Sequence, residues 1–375
     1  MKKVLTLLLM CAMLIGLVTG CSKSSDKDAT ETNNDSTPAA TEAPAAEPTE
    51  AAADTTTDTT TDATAEAAKT GFSVITSLAK SKDASAEGDG TAQVDSLLIA
   101  VLVDGAGKIL DCQIDQAQTK MNFSAEGKLT TDLATVFKSK QELGTEYGMK
   151  GASAIGKEWN EQADAFAAYV IGKTVDEVKG IAVNEEGVAA DADLAASVSV
   201  HISDFIAGVE KAVASAQDLG AKVGDQVGLA VTTDMSKSKD ASAEGDGLAQ
   251  AYSNYAVITV GADGKVTSCI IDASQGNVNF SATGAVTTDL TAAPQTKLEL
   301  KDAYGMKKAS AIGKEWYEQA NAFAAYATGK TLDKVKGIAV SAEGTAADAD
   351  LAASVSVHIG PFISNIEKAF ANSAR

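Results

Sequence analysis

Histidine is almost missing from this chain of 375 residues, which contains only two. A histidine-rich metal centre is therefore excluded. Cysteine is nearly as scarce. Of the four present, Cys11 and Cys21 fall in the first 21 residues, leaving Cys112 and Cys269, too few for a disulfide framework. Positive charge is also in deficit: 31 basic residues against 51 acidic ones give a formal charge of −20. That balance argues against nucleic acid and against an anionic membrane surface as partners, since both attract basic patches.

What is present begins with an export signal. Lys2 and Lys3 precede an apolar run from Val4 to Leu17, too short for a comfortable transmembrane span. The run closes on Leu17-Val18-Thr19-Gly20-Cys21, which resembles a bacterial lipobox, so residues 1–20 read as a lipoprotein signal peptide and Cys21 as the lipidated residue. The expectation is a protein exported and held by lipid on the outer face of the bacterial cell membrane. Residues 21–70 then read as that cysteine followed by a disordered acidic Thr/Ala/Pro tether. From residue 22 on it carries three lysines and eleven acids and no large apolar residue. Such a stretch cannot bury enough surface to offset its chain entropy. Its flexible reach is on the order of 40 Å.

The rest of the chain is a tandem duplication offset by 157 residues. GFSVITSLAK at 71–80 matches GLAVTTDMSK at 228–237, and the copies continue without a gap. Repeat 1 is placed at 71–219 and repeat 2 at 224–375, each long enough for one domain. Identity is uneven. From Tyr147 to Ile202, 46 of 56 positions match their partners, against 20 of 53 from Val94 to Glu146. The second half is either under tighter physical demand or recently homogenised.

Period and punctuation give the elements. Leu97–Val103 and Ile109–Asp115 flank a five-residue loop, as do Tyr255–Val260 and Val266–Asp272, and both pairs read as β-hairpins. On simple alternation Leu110, Cys112 and Ile114 share one face, as do Thr267, Cys269 and Ile271, which makes both cysteines core residues. Asn122–Gly127 and Asn279–Gly284 read as a strand and turn. Ile155, Trp159, Ala163, Phe166 and Val170 form one apolar stripe, predicting a helix over 152–170 that ends at Gly172; Ile312, Trp316, Ala320, Phe323 and Ala327 repeat it. Both tryptophans are then core anchors. Thr174-Val175-Asp176-Glu177 has capping-box spacing, although Lys334 stands at the glutamate's place in repeat 2.

The segment AADADLAASVSVHI occurs at 189–202 and again at 346–359, and holds both histidines. Two structures compete for it. As a helix, Leu194, Val198, Ile202, Phe205 and Val209 form an i, i+4 ladder. As a strand, Ser197, Ser199 and His201 share a face opposite Val198, Val200 and Ile202. Ser203-Asp204 and Gly360-Pro361 are helix-start pairs, and a continuous helix would place Pro361 in its interior. The expectation is a strand at 196–202 and 353–359, then a helix at 204–216 and 361–372. A hydrolase built on Ser197 and His201 has no G-x-S-x-G elbow, and Pro361 replaces Asp204 in repeat 2, so no catalytic residue is assigned.

Taken together, these features resemble the bacterial FMN-binding domain found on lipoproteins and in membrane electron transfer. Asp240–Gly247, Ala256–Val260 and Gly264-Lys265-Val266 are similar to its N-terminal half in order and spacing. Asp191-Ala192-Asp193-Leu194-Ala195-Ala196-Ser197 lies where its C-terminal signature would fall, and Asp348–Ser354 repeats it. The resemblance implies FMN as the cofactor, with Ser197 and Ser354 as the flavin-bearing hydroxyls. Leu194 and Leu351 stand where that signature has a hydroxyl residue, and Ala195 and Ala352 where it has glycine. Tyr147 and Tyr304, in the shared Tyr-Gly-Met-Lys, are candidates to line a pocket. Asp83–Asp89 resembles the first half of a calcium loop, but Val94 and Ala251 occupy the position of the bidentate glutamate, so a polar surface loop is expected and no metal site.

The expected fold is α+β: two tandem homologous domains, each an antiparallel sheet packed by two or three helices. The implied function is a flavin carrier with a redox partner. The alternative is a non-catalytic surface module that binds a small molecule or a partner without flavin. Either is a carrier or binding protein rather than a catalyst.

Overall fold

The computed structural model describes residues 66–374. The signal peptide, Cys21 and the tether up to residue 65 lie outside the described residues.

In repeat 1 the strands β1 (Lys69–Ser77), β2 (Gly90–Val103) and β3 (Ile109–Phe123) form one antiparallel sheet in that order. Five helices follow: α1 (Lys140–Leu143), α2 (Trp159–Val170), α3 (Val175–Lys179), α4 (Ala192–Ala195) and α5 (Ser203–Ala214). Repeat 2 reproduces the set as β4 (Gln226–Asp234), β5 (Gly247–Val260) and β6 (Val266–Phe280). Its helices are α6 (Lys297–Leu300), α7 (Trp316–Ala327), α8 (Leu332–Lys336), α9 (Ala349–Ala352) and α10 (Gly360–Asn372). The α+β class and the antiparallel sheets packed by helices are as the sequence predicts.

Both hairpins form where expected and run longer. In repeat 1, though, the alternation breaks at a bulge. Leu102 pairs with Asp111 but Val103 pairs with Ile109, so Leu110 is the extra residue. Ile109, Cys112 and Ile114 therefore face the helices, while Leu110 packs on the opposite face. The bulge recurs at Thr267, which turns its hydroxyl to Thr259 and Asp225 (2.6 Å each) instead of sharing the face of Cys269. Strand β1 starts at Lys69, within the stretch read as tether, and residues 217 and 221, between α5 and β4, bond to residues 70 and 68.

One face of each sheet carries the helices. In repeat 1, α2 and α5 meet over β2 and β3, with Phe205 at 6.0 Å from Trp159 and 5.3 Å from Phe166. Helix α2 starts later than the stripe suggested, at Trp159. Residues 152–157 form turns, and Glu158 and Glu161 make the capping box. Thr174 and Glu177 cap α3 reciprocally, whereas α8 has no side-chain cap, as Lys334 predicts.

The predicted strand at 196–202 and 353–359 is not formed. Asp191 and Asp348 cap the one-turn helices α4 and α9, and the chain then runs irregularly into α5 and α10. The alternation is real, but no strand lies beside it to complete a ladder. The fully buried Gln162 side chain takes that role: its Oε1 accepts from the Ser199 amide and hydroxyl and from the Val200 amide. Gln319 does the same for Ser356 and Val357. Leu194, Val198 and Ile202 are all buried, so the i, i+4 ladder describes the packing. Helices begin at Ser203 and Gly360, one residue before the expected starts; Ile202 and Ile359 rather than Ser203 and Gly360 are the cap residues, without a side-chain cap, and Pro361 sits in the first turn.

The other face of each sheet packs on its counterpart in the other repeat. Phe72, Leu98 and Leu102 meet Val227, Leu229 and Val257, while Met121 and Phe123 meet Val278 and Phe280. The contacts come in pairs related by the repeat offset. Asp83 accepts from the Val286 amide (2.7 Å) and Asp240 from the Leu129 amide (2.9 Å). Lys211 pairs with Glu299 and Lys368 with Glu142. Such reciprocity defines an isologous two-fold interface, here within one chain. Phe123 and Phe280, equivalent positions, stack on each other at 4.3 Å and 8°, where the pseudo-two-fold axis must pass. Gly127 and Gly284 are required twice over: φ is +67° and +73°, and a Cβ would come within 2.8 and 2.6 Å of the other repeat. The two repeats are thus halves of one compact unit.

The calcium-like loops are absorbed by this interface, since Asp83 and Asp240 are their first residues. Among the described residues no group of histidine, cysteine or acidic side chains could hold a metal ion.

Candidate functional site

A cavity of about 540 Å³ opens in repeat 2, with Tyr252, Lys297, Tyr304, Met306, Trp316 and His358 in its wall. Four separate elements deliver Tyr252, Lys297, Tyr304 and Trp316, while Met306 and His358 come from connecting segments. Thr296 caps α6 in a reciprocal box with Glu299, which fixes Lys297 as the first helical residue. Asp272 on β6 anchors that turn, accepting from the amides of Leu298 (3.0 Å) and Ala273 (2.7 Å). Tyr304 ends a 3-10 turn closed by Gly305 at φ +74°. The next amide, Met306, donates to the buried Glu315 carboxylate at the cap of α7 (2.8 Å), and Trp316 follows directly. Tyr252 projects from β5.

These rings enclose the Lys297 ammonium. Its Nζ lies 4.5 Å from the Tyr252 and Tyr304 centroids and 4.9 Å from that of Trp316. It also donates to the Tyr252 hydroxyl at 2.5 Å. Lysine is seldom buried, yet Lys297 is 3% exposed. Burial pulls its pKa down to about 8, against the opposing pull of Asp272. Burial likewise holds the Tyr252 phenol above its ordinary range, so it stays protonated.

Repeat 1 has the same lysine in a different setting. Lys140 Nζ lies 4.7 Å from the Tyr147 ring and 4.9 Å from Trp159. Where repeat 2 has Tyr252, repeat 1 has Asp95, paired with Lys80 at 3.1 Å and bonded by the Gln93 amide at 2.9 Å. Lys140 is also pulled down to about 8 by burial.

Of the residues proposed from sequence, Tyr304 lines the cavity and Tyr147 covers Lys140. Ser197 and Ser354 are half-buried just beyond α4 and α9, and neither lines the cavity; Ser356, two residues on, does. His358 is in the cavity wall, while His201 lies against Gly187. Trp159 and Trp316 are buried anchors that also form the lysine's enclosure. Cys112 and Cys269 are buried in the helix-side cores, and burial pushes the Cys269 thiol up to about 12, which leaves it inert at neutral pH.

Sequence reasoning missed Lys140 and Lys297. A signal existed: Ser139-Lys140-x-Glu142-Leu143 and Thr296-Lys297-x-Glu299-Leu300 retain lysine and a capping box within the half of the repeat that has otherwise diverged.

Asp272 gives a pH prediction. Burial raises its pKa from 3.8 to about 7, partly offset by hydrogen bonds from Thr296, Leu298 and Ala273. The unfolded chain therefore releases this proton at lower pH than the folded one, so stability falls as pH rises from about 4 to about 7. The loss is complete above that window. Asp272→Asn keeps the acceptor oxygen and removes the charge. It is expected to stabilise the protein at pH 8 by on the order of 2–4 kcal/mol and to flatten this slope. Urea unfolding at pH 5 and pH 8 measures both; an unchanged difference between the two pH values would contradict the assignment.

No family model matches the chain, and no solved structure matches it significantly. A chlorophenol reductase from Desulfitobacterium hafniense is 33% identical over 124 residues, which covers 30% of this chain and 38% of the reductase. The chain therefore matches well under half the length of that relative.

Proposed function

We propose that this chain is an exported, lipid-anchored binding or carrier protein that holds a planar aromatic ligand, with a flavin ring as the leading candidate, in the cavity of repeat 2. The observation that carries this reading is the ring-walled cavity around Lys297. At about 540 Å³ it falls within the roughly 300–1,000 Å³ typical of small-molecule sites. Its mix of aromatic walls with a few converging polar groups is the composition such sites use. The export signal expected at residues 1–20, the likeness to FMN-binding domains and the partial likeness to a reductase support this reading.

The residues fit the two ends of FMN unequally. Tyr252, Tyr304 and Trp316 suit the ring system. Attachment through a phosphoester at Ser354 gains no support, because Ser354 is outside the cavity lining. The first-turn amide of Leu351 beside it is already bonded by Asp348. The reading is therefore non-covalent binding in repeat 2.

Two measurements test it. Protein purified from membranes of its native host should show the flavin absorbance bands, and peptides carrying Ser197 and Ser354 should have unmodified mass. Riboflavin and FMN added to the flavin-free chain should quench Trp316 fluorescence with micromolar affinity, about −8 kcal/mol. No flavin in the native protein together with no quenching would sink the flavin reading, and would favour a surface module that binds something else.

A further inference from the structure

We propose that Lys297 is an amine nucleophile that captures carbonyl compounds entering the repeat 2 cavity, holding planar aromatic aldehydes as imines. The inference rests on the reading of this cavity as a site for planar aromatic ligands and adds a covalent step to it.

The geometry supplies three requirements. The nitrogen is sequestered from bulk water yet belongs to the wall of an open cavity, so a ligand can reach it. Ring faces of Tyr252, Tyr304 and Trp316 surround it, providing stacking surfaces for the aldehyde's own ring. The Tyr252 hydroxyl lies 2.5 Å from Nζ, within reach of any oxygen formed beside that nitrogen.

The step balances without an added oxidant or reductant. The unprotonated Nζ attacks the carbonyl carbon, forming a C–N bond while the carbonyl π pair moves to oxygen. That oxygen takes a proton from the Tyr252 phenol, and nitrogen loses one to solvent, giving a neutral carbinolamine. The hydroxyl then takes back one proton from solvent and leaves as water while the C=N bond forms and the remaining N–H proton returns to the Tyr252 oxygen. Hydrolysis reverses the sequence and releases the ligand.

The fraction of free amine depends on the groups that face it. Desolvation favours the neutral form, and Asp272 on β6 favours the ammonium. Tyr252 and Tyr304 face it as neutral phenols, and Asp234, Lys237 and His358 are the other charged or titratable groups of the cavity wall. Desolvation is the largest of these influences, which leaves free amine available near neutral pH.

The test uses the full chain with pyridoxal as the probe, trapped by cyanoborohydride at pH 7.5 and located by peptide mass. Lys297 should be labelled at least about tenfold faster than the exposed Lys301 and Lys308, as its desolvated, ring-enclosed amine requires. Lys297→Arg retains a cation among the rings, so it should keep the wild-type melting temperature and lose this label. Tyr252→Phe retains the ring and should slow labelling by a larger factor than it weakens binding of pyridoxine, the alcohol analogue. Labelling of Lys297 no faster than that of the surface lysines overturns the inference. If riboflavin or pyridoxine binds while Lys297 stays unlabelled, only the covalent step fails. If Lys297 is labelled while riboflavin does not bind, the covalent step stands and the flavin reading falls.

Discussion

Replacing Phe280 with alanine is expected to destabilise both repeats together, by about 3–5 kcal/mol. The ring is fully buried and stacks on Phe123 at 4.3 Å. Its other contacts are equally close: a Cβ at Gly247 would come within 2.5 Å of the Phe280 ring, and one at Gly90 within 2.4 Å of Phe123. Truncation thus opens a void at the pseudo-two-fold axis that neither sheet can collapse into without losing register. The loss is a large share of a typical total of about 5–15 kcal/mol. The chain carries its own reporters, because its two tryptophans are buried one in each repeat. With Trp159→Phe or Trp316→Phe as background, the remaining tryptophan follows one repeat alone. In urea, the two signals should share a midpoint and shift together when Phe280 is truncated. A shift confined to the Trp316 signal would mean that the sheet-to-sheet core does not couple the repeats.

That coupling was the least legible part of the fold. Hairpins could be read because the turn at Gly264-Lys265 and the flanking alternation are local. The helix starts could be read to within one residue because Asp204 and Pro361 suit a first turn, although Ser203 and Gly360 are not the cap residues that the pairs suggest. Leu110 was placed on the wrong face because a bulge adds one residue to β3, and a period-two pattern has no marker for that. Strand β2 is buried on nearly its whole length, so its apolar run reveals burial without saying that the second cover is the other repeat. The segment 196–202 misled for a related reason. Its alternation satisfies the pattern of a strand, but a strand needs a ladder partner, and Gln162, 37 residues earlier, meets those amides first. At the candidate site, Tyr304 could be picked from a shared motif, whereas Lys297 could not. Its environment exists only where β5, a 3-10 turn and two helix starts converge. Local sequence shows merely a lysine after a helix cap.

The same convergence predicts that the repeats differ in what they bind. Tyr252→Asp is expected to abolish measurable riboflavin binding, and Asp95→Tyr to add a second, weaker site in repeat 1. In the first variant, one wall of the cavity is lost and a carboxylate is set beside Lys297. Burial still pulls Lys140 down to about 8 beside Asp95, so pyridoxal labelling should fall chiefly through the loss of the Tyr252 ring and hydroxyl. Loss of one stacking face and one hydrogen bond corresponds to about 2–3 kcal/mol, or roughly a hundredfold in affinity. The reverse exchange supplies repeat 1 with the third ring that Tyr147 and Trp159 lack around Lys140. Lys80 is largely exposed and loses little when Asp95 is removed, but the buried Gln93 amide is left without its carboxylate. The Asp95→Tyr protein should therefore be about 1–3 kcal/mol less stable while it gains a site. Calorimetric titration with riboflavin distinguishes the outcomes by stoichiometry: one per chain for the natural protein, none for Tyr252→Asp, and two of unequal affinity for Asp95→Tyr. Two equal sites in the natural protein would show that the third ring does not decide binding, and that duplication left both repeats with the same function.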